Sequence, residues 1–217
     1  VRCVYETGAN LWKIDRPKSA NWTTATVRKS KSGKEQVLLQ SGKGIHAINP
    51  ASGNVEWHYV YGAATIPSSA LAGAMLFVPS RGLTALKIGA DGKSFEQKWR
   101  SGRLRPGTAS PLVHGSRVYS LNNAGVLACA DIDSGNRLWQ LRLDGPFGGS
   151  PVVADNHMYV FSEEGMAQVV DLAAPEGDVV GKMDLGEMIQ CSPAVSNGAL
   201  FVRSNGHIWK ISHKTRL

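Results

Sequence analysis

Short apolar runs closed by polar turns recur along the whole chain, and no stretch sustains the 3.6-residue period of a helix. The clearest case is Gly125-Val-Leu-Ala-Cys-Ala-Asp-Ile-Asp-Ser-Gly-Asn-Arg-Leu-Trp139. An apolar run ends at Asp131, a turn follows at Asp133-Ser-Gly-Asn136, and a second run closes on Trp139. Asp, Ser, Gly and Asn supply the backbone conformations of a turn, so the stretch predicts a β-hairpin. With the β-prone runs upstream, this part of the chain reads as four strands, over 111–114, 117–121, 126–131 and 137–143.

The pattern returns. Gly44-Ile-His-Ala-Ile-Asn-Pro-Ala-Ser-Gly-Asn-Val-Glu-Trp57 is the closest copy. Gly82 to Trp99 is a copy with a longer turn, and Gly8 to Trp22 is another. Gly165 to Gly177 has lost its closing Trp, and Gly206 to Ile211 begins a last copy. Upstream of the hairpins, Ser110-Pro, Ser150-Pro and Ser192-Pro are each followed nine residues later by an aromatic, namely Tyr119, Tyr159 and Phe201. Ser68 and Phe77 keep that spacing without the Pro. The serines step by 42, 40 and 42 residues, and Trp57, Trp99 and Trp139 step by 42 and 40. A period near forty with four short strands per unit is that of a β-propeller blade. The expected fold is all-β, a propeller of four-stranded blades in one array. Its units are 1–23 (partial), 24–61, 66–102, 108–145, 148–186 and 190–213 (partial). Partial units at both ends predict an incomplete ring, about five blades of a larger one, with eight as one solution, and a native N-terminus that lies upstream.

Composition narrows this reading further. A chain of 217 residues with 42% hydrophobic content and 24 glycines suits a soluble all-β protein with a sizeable core. No run of about 18 apolar residues exists, so no transmembrane segment is expected. The net charge is +7. Much of it falls early, in Arg28-Lys-Ser-Lys-Ser-Gly-Lys34, which reads as a solvated hairpin loop. Without interleaved exposed aromatics this does not predict a nucleic-acid partner.

Cys3, Cys129 and Cys191 have no metal or redox spacing. Cys129 takes the slot held by Ala47 and Ala85, which predicts a small buried thiol. Six scattered histidines (46, 58, 114, 157, 207 and 213) and the lack of G-x-S-x-G, H-E-x-x-H and P-loop motifs predict no catalytic residue and no metal site. Asp131 and Asp133 resemble paired carboxylates until Asp131 is aligned with Asn49 and Asp171. That alignment predicts a turn-stabilising role.

The repeated Ala-x-Asx-x-x-Ser-Gly-Asn-x-x-Trp runs from Ala47 to Trp57 and, with Cys in the first place, from Cys129 to Trp139. With the Ser-Pro-x-Val strand before it, it resembles the tryptophan-docking motif of quinoprotein-type β-propellers, over nearly the whole chain. Within that superfamily the chain is most similar to the bacterial PQQ-like repeat proteins of the BamB-like kind, including those of planctomycetes. The resemblance implies that a closing Trp packs toward the adjacent blade, which gives structural roles to Trp22, Trp57, Trp99 and Trp139. Trp12 and Trp209 fall in the small-residue slot of the third strand.

The resemblance also implies a non-catalytic scaffold or a ligand- or protein-binding platform, without a cofactor. The implied compartment is extracytoplasmic, periplasmic or outer-membrane associated, with membrane assembly reached through upstream sequence. Two other readings are a fragment of a PQQ-dependent dehydrogenase that lacks its catalytic blades and the sensor propeller of a signalling protein. The dehydrogenases' vicinal Cys pair, catalytic Asp and calcium ligands have no counterpart in the motifs. A binding face would gather the loops between blades and the loops between second and third strands. Its candidates are Arg100, Arg103, Arg105, Phe147 and Glu187, beside Asn122, Asn123, Glu163 and Glu164.

Overall fold

The computed structural model describes residues 2–4, 6–30 and 33–212, with the side chains of Arg2 and Cys3 excepted. Lys31 of the basic loop and His213 lie outside the described residues. The chain divides into two compact units, Val1–Arg103 and Leu104–Leu217. All regular structure among the described residues is β.

Unit 1 holds three antiparallel sheets. Sheet I pairs β1 (Arg2–Val4) with β2 (Asn10–Lys13). Sheet II runs in order through β3 (Thr26–Lys29), β4 (Glu35–Ser41), β5 (Gly44–Ile48) and β6 (Val55–Tyr59). Sheet III does the same with β7 (Ala70–Ala72), β8 (Met75–Pro79), β9 (Leu83–Ile88) and β10 (Phe95–Ser101).

Unit 2 repeats the plan. Sheet IV contains β11 (Leu112–His114), β12 (Arg117–Leu121), β13 (Val126–Asp131) and β14 (Arg137–Arg142). Sheet V contains β15 (Val152–Ala154), β16 (His157–Phe161), β17 (Met166–Asp171) and β18 (Asp178–Asp184). Sheet VI contains β19 (Ala194–Ser196), β20 (Ala199–Arg203) and β21 (Ile208–Ser212). The chain is therefore a run of β-propeller blades, each a meander of neighbouring strands.

Both faces of the middle strands are covered, so β12 and β13 read as near-continuous buried runs rather than alternating ones. In unit 1, Ala47, Trp57 and Tyr59 of sheet II pack with Leu76, Val78, Leu86 and Ile88 of sheet III. In unit 2, Tyr119, Cys129 and Trp139 of sheet IV pack with Met158, Val160 and Val170 of sheet V. Phe161 and Ala167 of sheet V pack with Val202 of sheet VI, flanked by Trp209 and Ile211. Each of these three joints is thus a sheet-on-sheet apolar layer.

Register explains the tryptophan spacing. Ala47 pairs with Trp57, Ala85 with Trp99 and Cys129 with Trp139. A small residue on the third strand leaves room for the indole beside it on the fourth. Trp139 is 6% exposed and lies across the Tyr119 ring at a centroid distance of 5.8 Å. Its indole reaches the third-to-fourth-strand turn of sheet V, where a Cβ on Gly177 (φ +71°) would stand 2.9 Å from the ring.

The expectation for Trp22 is corrected. Trp22 is 69% exposed and lies in the link between β2 and β3, not on a strand. The closing slot of sheet I belongs to Trp12, which pairs with Cys3. Its Nε1 donates to the Pro50 carbonyl at 2.7 Å, and its ring lies against Gly53. Trp12 is therefore a fourth-strand residue, not an occupant of the small-residue slot. Trp209 pairs with Val202, one place before the slot, which Lys210 fills opposite Phe201.

Candidate functional site

The motif serines have a use that spacing alone does not reveal. The Ser150 hydroxyl accepts from the Ser110 backbone N–H at 2.9 Å, and the Ser192 hydroxyl accepts from the Ser150 N–H at 2.8 Å. In unit 1, Ser68 accepts from Thr24 N–H at 2.9 Å. Each serine thus ties its blade to the preceding one across the first strands, where the short edge needs a partner. Buried glutamines add a second tie. Gln168 of β17 accepts from Asp144 N–H and donates to the Asp144 carbonyl, both at 2.9 Å. Gln40 donates to the Ala64 and Pro67 carbonyls and accepts from Ser69 N–H and hydroxyl.

The loops at one end of unit 2 interleave into a continuous rim. The Phe147 N–H, in the link from sheet IV to V, donates to the Asn123 carbonyl at 3.1 Å. The Glu163 N–H, in the second-to-third-strand loop of sheet V, donates to the Pro146 carbonyl at 2.8 Å. Ile189 N–H then donates to Glu163, and Asn205 N–H to Met188. Gly165 (φ +95°) permits the close approach, since a Cβ there would stand 2.5 Å from the Glu187 carbonyl oxygen.

Side chains lock this rim. Asn123 Oδ1 accepts from Thr108 N–H, and Asn122 Oδ1 accepts from Val126 N–H. Phe147 is 1% exposed and sits in the core beneath, so it anchors the loop rather than facing outward. Glu187 accepts from the Ser204 hydroxyl, the Gly206 N–H and the His207 ring. The Ser204 hydroxyl, followed by the Gly206 N–H and His207, holds its carboxyl below the usual range. Glu164 and Arg105 are exposed. An open depression of about 410 Å³ lies between Asn123, Ala124, Arg142, Asp144 and Pro146.

In unit 1, Arg100 bonds Thr84, Gln97 and the Tyr59 hydroxyl, while Arg103 is exposed. The geometry of the two units places Arg100 and Arg103 in one and the other seven candidates in the other.

The remaining chemistry-bearing groups are used locally. Asp131 accepts from the Ser134 N–H and hydroxyl, Asn49 from the Ala51 and Ser52 N–H groups, and Asp171 from the Ala173 N–H. These aligned residues are the turn-makers that the repeat frame predicts. Burial pushes the Cys129 thiol up to about 11, so it is protonated at neutral pH. Arg28 is buried against Gln36 and the Gly89 carbonyl, and Lys34 pairs with Glu56 at 2.6 Å. The described part of the basic run is thereby engaged within unit 1.

Among the described residues no three His, Cys, Asp or Glu side chains gather as a metal set. Among the described residues no helix is long and apolar enough to cross a membrane.

Residues 89–180 match the family described as outer membrane protein assembly factor BamB. Over that stretch the chain is similar to the PQQ-like β-propeller repeat proteins. Its fold is similar to that of BamB from Moraxella catarrhalis, with a TM-score of 0.72 at 16% identity, covering 97% of this chain and 63% of that one. It is also similar to the computationally designed Ika8 protein, with a TM-score of 0.68 at 13% identity, covering 94% of this chain and 63% of that one. At these identities the likeness shows the fold alone. The chain spans under two thirds of the length of either structure. No curated protein matches it in sequence.

Proposed function

We propose that this propeller is a non-catalytic, BamB-like scaffold whose unit 2 rim docks a protein partner in an extracytoplasmic compartment. The supporting observation is the rim itself. Four successive loop-to-loop backbone hydrogen bonds, from Phe147 to Asn205, join loops of three blades into one preformed surface. A preformed surface loses little conformational entropy on association, which favours recognition by shape. Exposed Arg105, Asn123, Arg142 and Glu164 give it mixed polarity, typical of a non-obligate contact. The match to the BamB family agrees with this role and with the compartment.

Photo-crosslinking tests the reading. A photoreactive residue at Glu164, on the rim, is expected to give discrete adducts in cells. The same residue at Asp155, in the turn at the other end of sheet V, is expected to give none. Equal labelling at both positions counts against the rim. Stoichiometric spectral binding of PQQ with calcium, together with dye-linked alcohol oxidation, replaces the scaffold with the dehydrogenase reading.

A further inference from the structure

Sheet V is the blade whose motif has lost its closing tryptophan, and the structure shows what stands there instead. Val169 pairs with Gly181, with a register shift at Val169/Val170. The same shift follows Cys129 opposite Trp139 in sheet IV. Gly181 thus occupies the indole position on an unchanged strand pair. Beside it lies an apolar hollow of about 200 Å³ between sheets V and VI. Phe161, Ala167, Val169 and Met183 line one side, and Leu200 and Ile211 line the other.

Those two are the sheet VI counterparts of Met158 and Val170. Met158 pairs with Val170 as Leu200 pairs with Ile211, and the first pair packs with Trp139. The hollow is therefore the docking site of an indole that the chain does not supply. Tyr159, Gln168 and Lys182 complete the lining, and the last two have their polar groups engaged elsewhere. Gln168 spends its amide on the Asp144 backbone, and the Lys182 ammonium pairs with the Asp144 carboxylate.

We propose that this hollow is a binding site for a small neutral aromatic molecule, of one ring or of two fused rings as in indole. An apolar cavity of roughly 150 Å³ lined by Leu, Ile and Phe stays dry and takes benzene, so a larger hollow lined mostly by apolar side chains has room for such a guest. The guest restores the dispersion contacts that the lining lacks while the slot is empty. A glycine inside a strand is a recurrent mark of close approach by a ligand. The slot can also be refilled from the chain. A Cβ on Gly181 meets only Val169 atoms, at 3.6 and 3.7 Å, which are ordinary contacts, and the backbone there is not left-handed.

The test titrates the full chain with indole and follows amide shifts by NMR. The expected result is saturable binding, with shifts centred on Ala167, Gly181, Leu200 and Ile211. Gly181→Trp is expected to abolish the binding and to raise the unfolding midpoint. Gly181→Leu, a smaller filler, keeps the test decisive if the Trp variant does not fold, and is expected to weaken binding. No saturable binding to the wild type overturns the proposal. So do shifts located elsewhere, or binding unchanged in the filled variants.

Discussion

Trp139→Ala is the sharpest probe of how blades are joined. The side chain is 6% exposed and packs among Tyr119, Cys129, Met158 and Val170, against the turn that holds Gly177. Burying a large aromatic removes about 150–250 Å² from water. At ~25 cal/mol per Å², that burial contributes about 4–6 kcal/mol. One opposing term is visible. The indole Nε1 is buried without an acceptor, so truncation also relieves a desolvation penalty of about 1 kcal/mol or more. The net expectation is a loss of about 3–5 kcal/mol, the usual range for Trp→Ala in a core. Urea unfolding followed by far-UV circular dichroism is the assay, because removing a tryptophan changes the fluorescence itself. Trp22→Ala is the matched control. With Trp22 69% exposed, the control is expected to stay within about 0.5 kcal/mol of wild type. Similar losses in the two variants would refute the argument, and so would a Trp139→Ala loss within about 0.5 kcal/mol.

Three further outcomes are expected. Ser192→Ala removes the acceptor of the Ser150 N–H and is expected to cost about 0.5–1.5 kcal/mol by urea unfolding. Gln168→Met keeps the side-chain length but leaves the Asp144 N–H and carbonyl without their 2.9 Å partners. Faster amide exchange at Asp144 is expected, with wild-type protection at Val126 in sheet IV as the internal reference. In sheet II, His46 and His58 stack at 3.7 Å, and Arg16 Nη1 lies 3.2 Å from His46 Nδ1. Burial, then His58 and Arg16, lowers His46 from 6.5 to about 4, and burial, then Arg16, lowers His58. The unfolded chain therefore takes up protons before the folded one. For His46 the stabilising contribution is full above pH 6.5 and lost as pH falls toward 4, and His58 acts in the same direction. His46→Phe is expected to flatten that decline in the urea midpoint. An unchanged pH profile in the variant refutes the assignment.

Local chemistry was legible in the sequence, and long-range consequences were not. The strands at 117–121 and 126–131 were readable because the apolar runs and the turns at Asp131 and Asn122 are set by neighbours in sequence. Trp22 misled for a physical reason. Propeller hairpins need a left-handed glycine in two different turns, as Gly44 (φ +123°) and Gly53 (φ +74°) show in sheet II. Gly8 (φ +82°) lies in the turn that joins β1 to β2, the counterpart of Gly53, but one glycine in isolation fits either turn. Reading it as the counterpart of Gly44 moves the closing residue from Trp12 to Trp22. Among the rim candidates, Asn123 and Phe147 were found as polar or aromatic loop residues. Their roles depend on Thr108, 15 residues from Asn123, and on core neighbours of Phe147 from other strands, such as Tyr119 and Val170, which no local pattern encodes.

The joints between sheets II and III and between sheets IV and V are fastened twice, and the two fastenings answer different demands. The tryptophan fills the apolar layer, so its contribution scales with buried area and tolerates any shape that fills the same volume. The serine and glutamine ties are directional. Each serine fixes one donor to one acceptor across a blade boundary and each glutamine fixes two or more such pairs, so together they set how far one sheet can slide on the next. The joint between sheets V and VI separates the two functions. It lacks the tryptophan but keeps the Ser192 tie and the loop bonds from Ile189 to Glu163 and from Asn205 to Met188. Alignment there is held by polar contacts while the volume beside Gly181 is left open. Such a division lets one joint trade packing for an open slot without losing the register of its blades, because the groups that set register are not the groups that fill space.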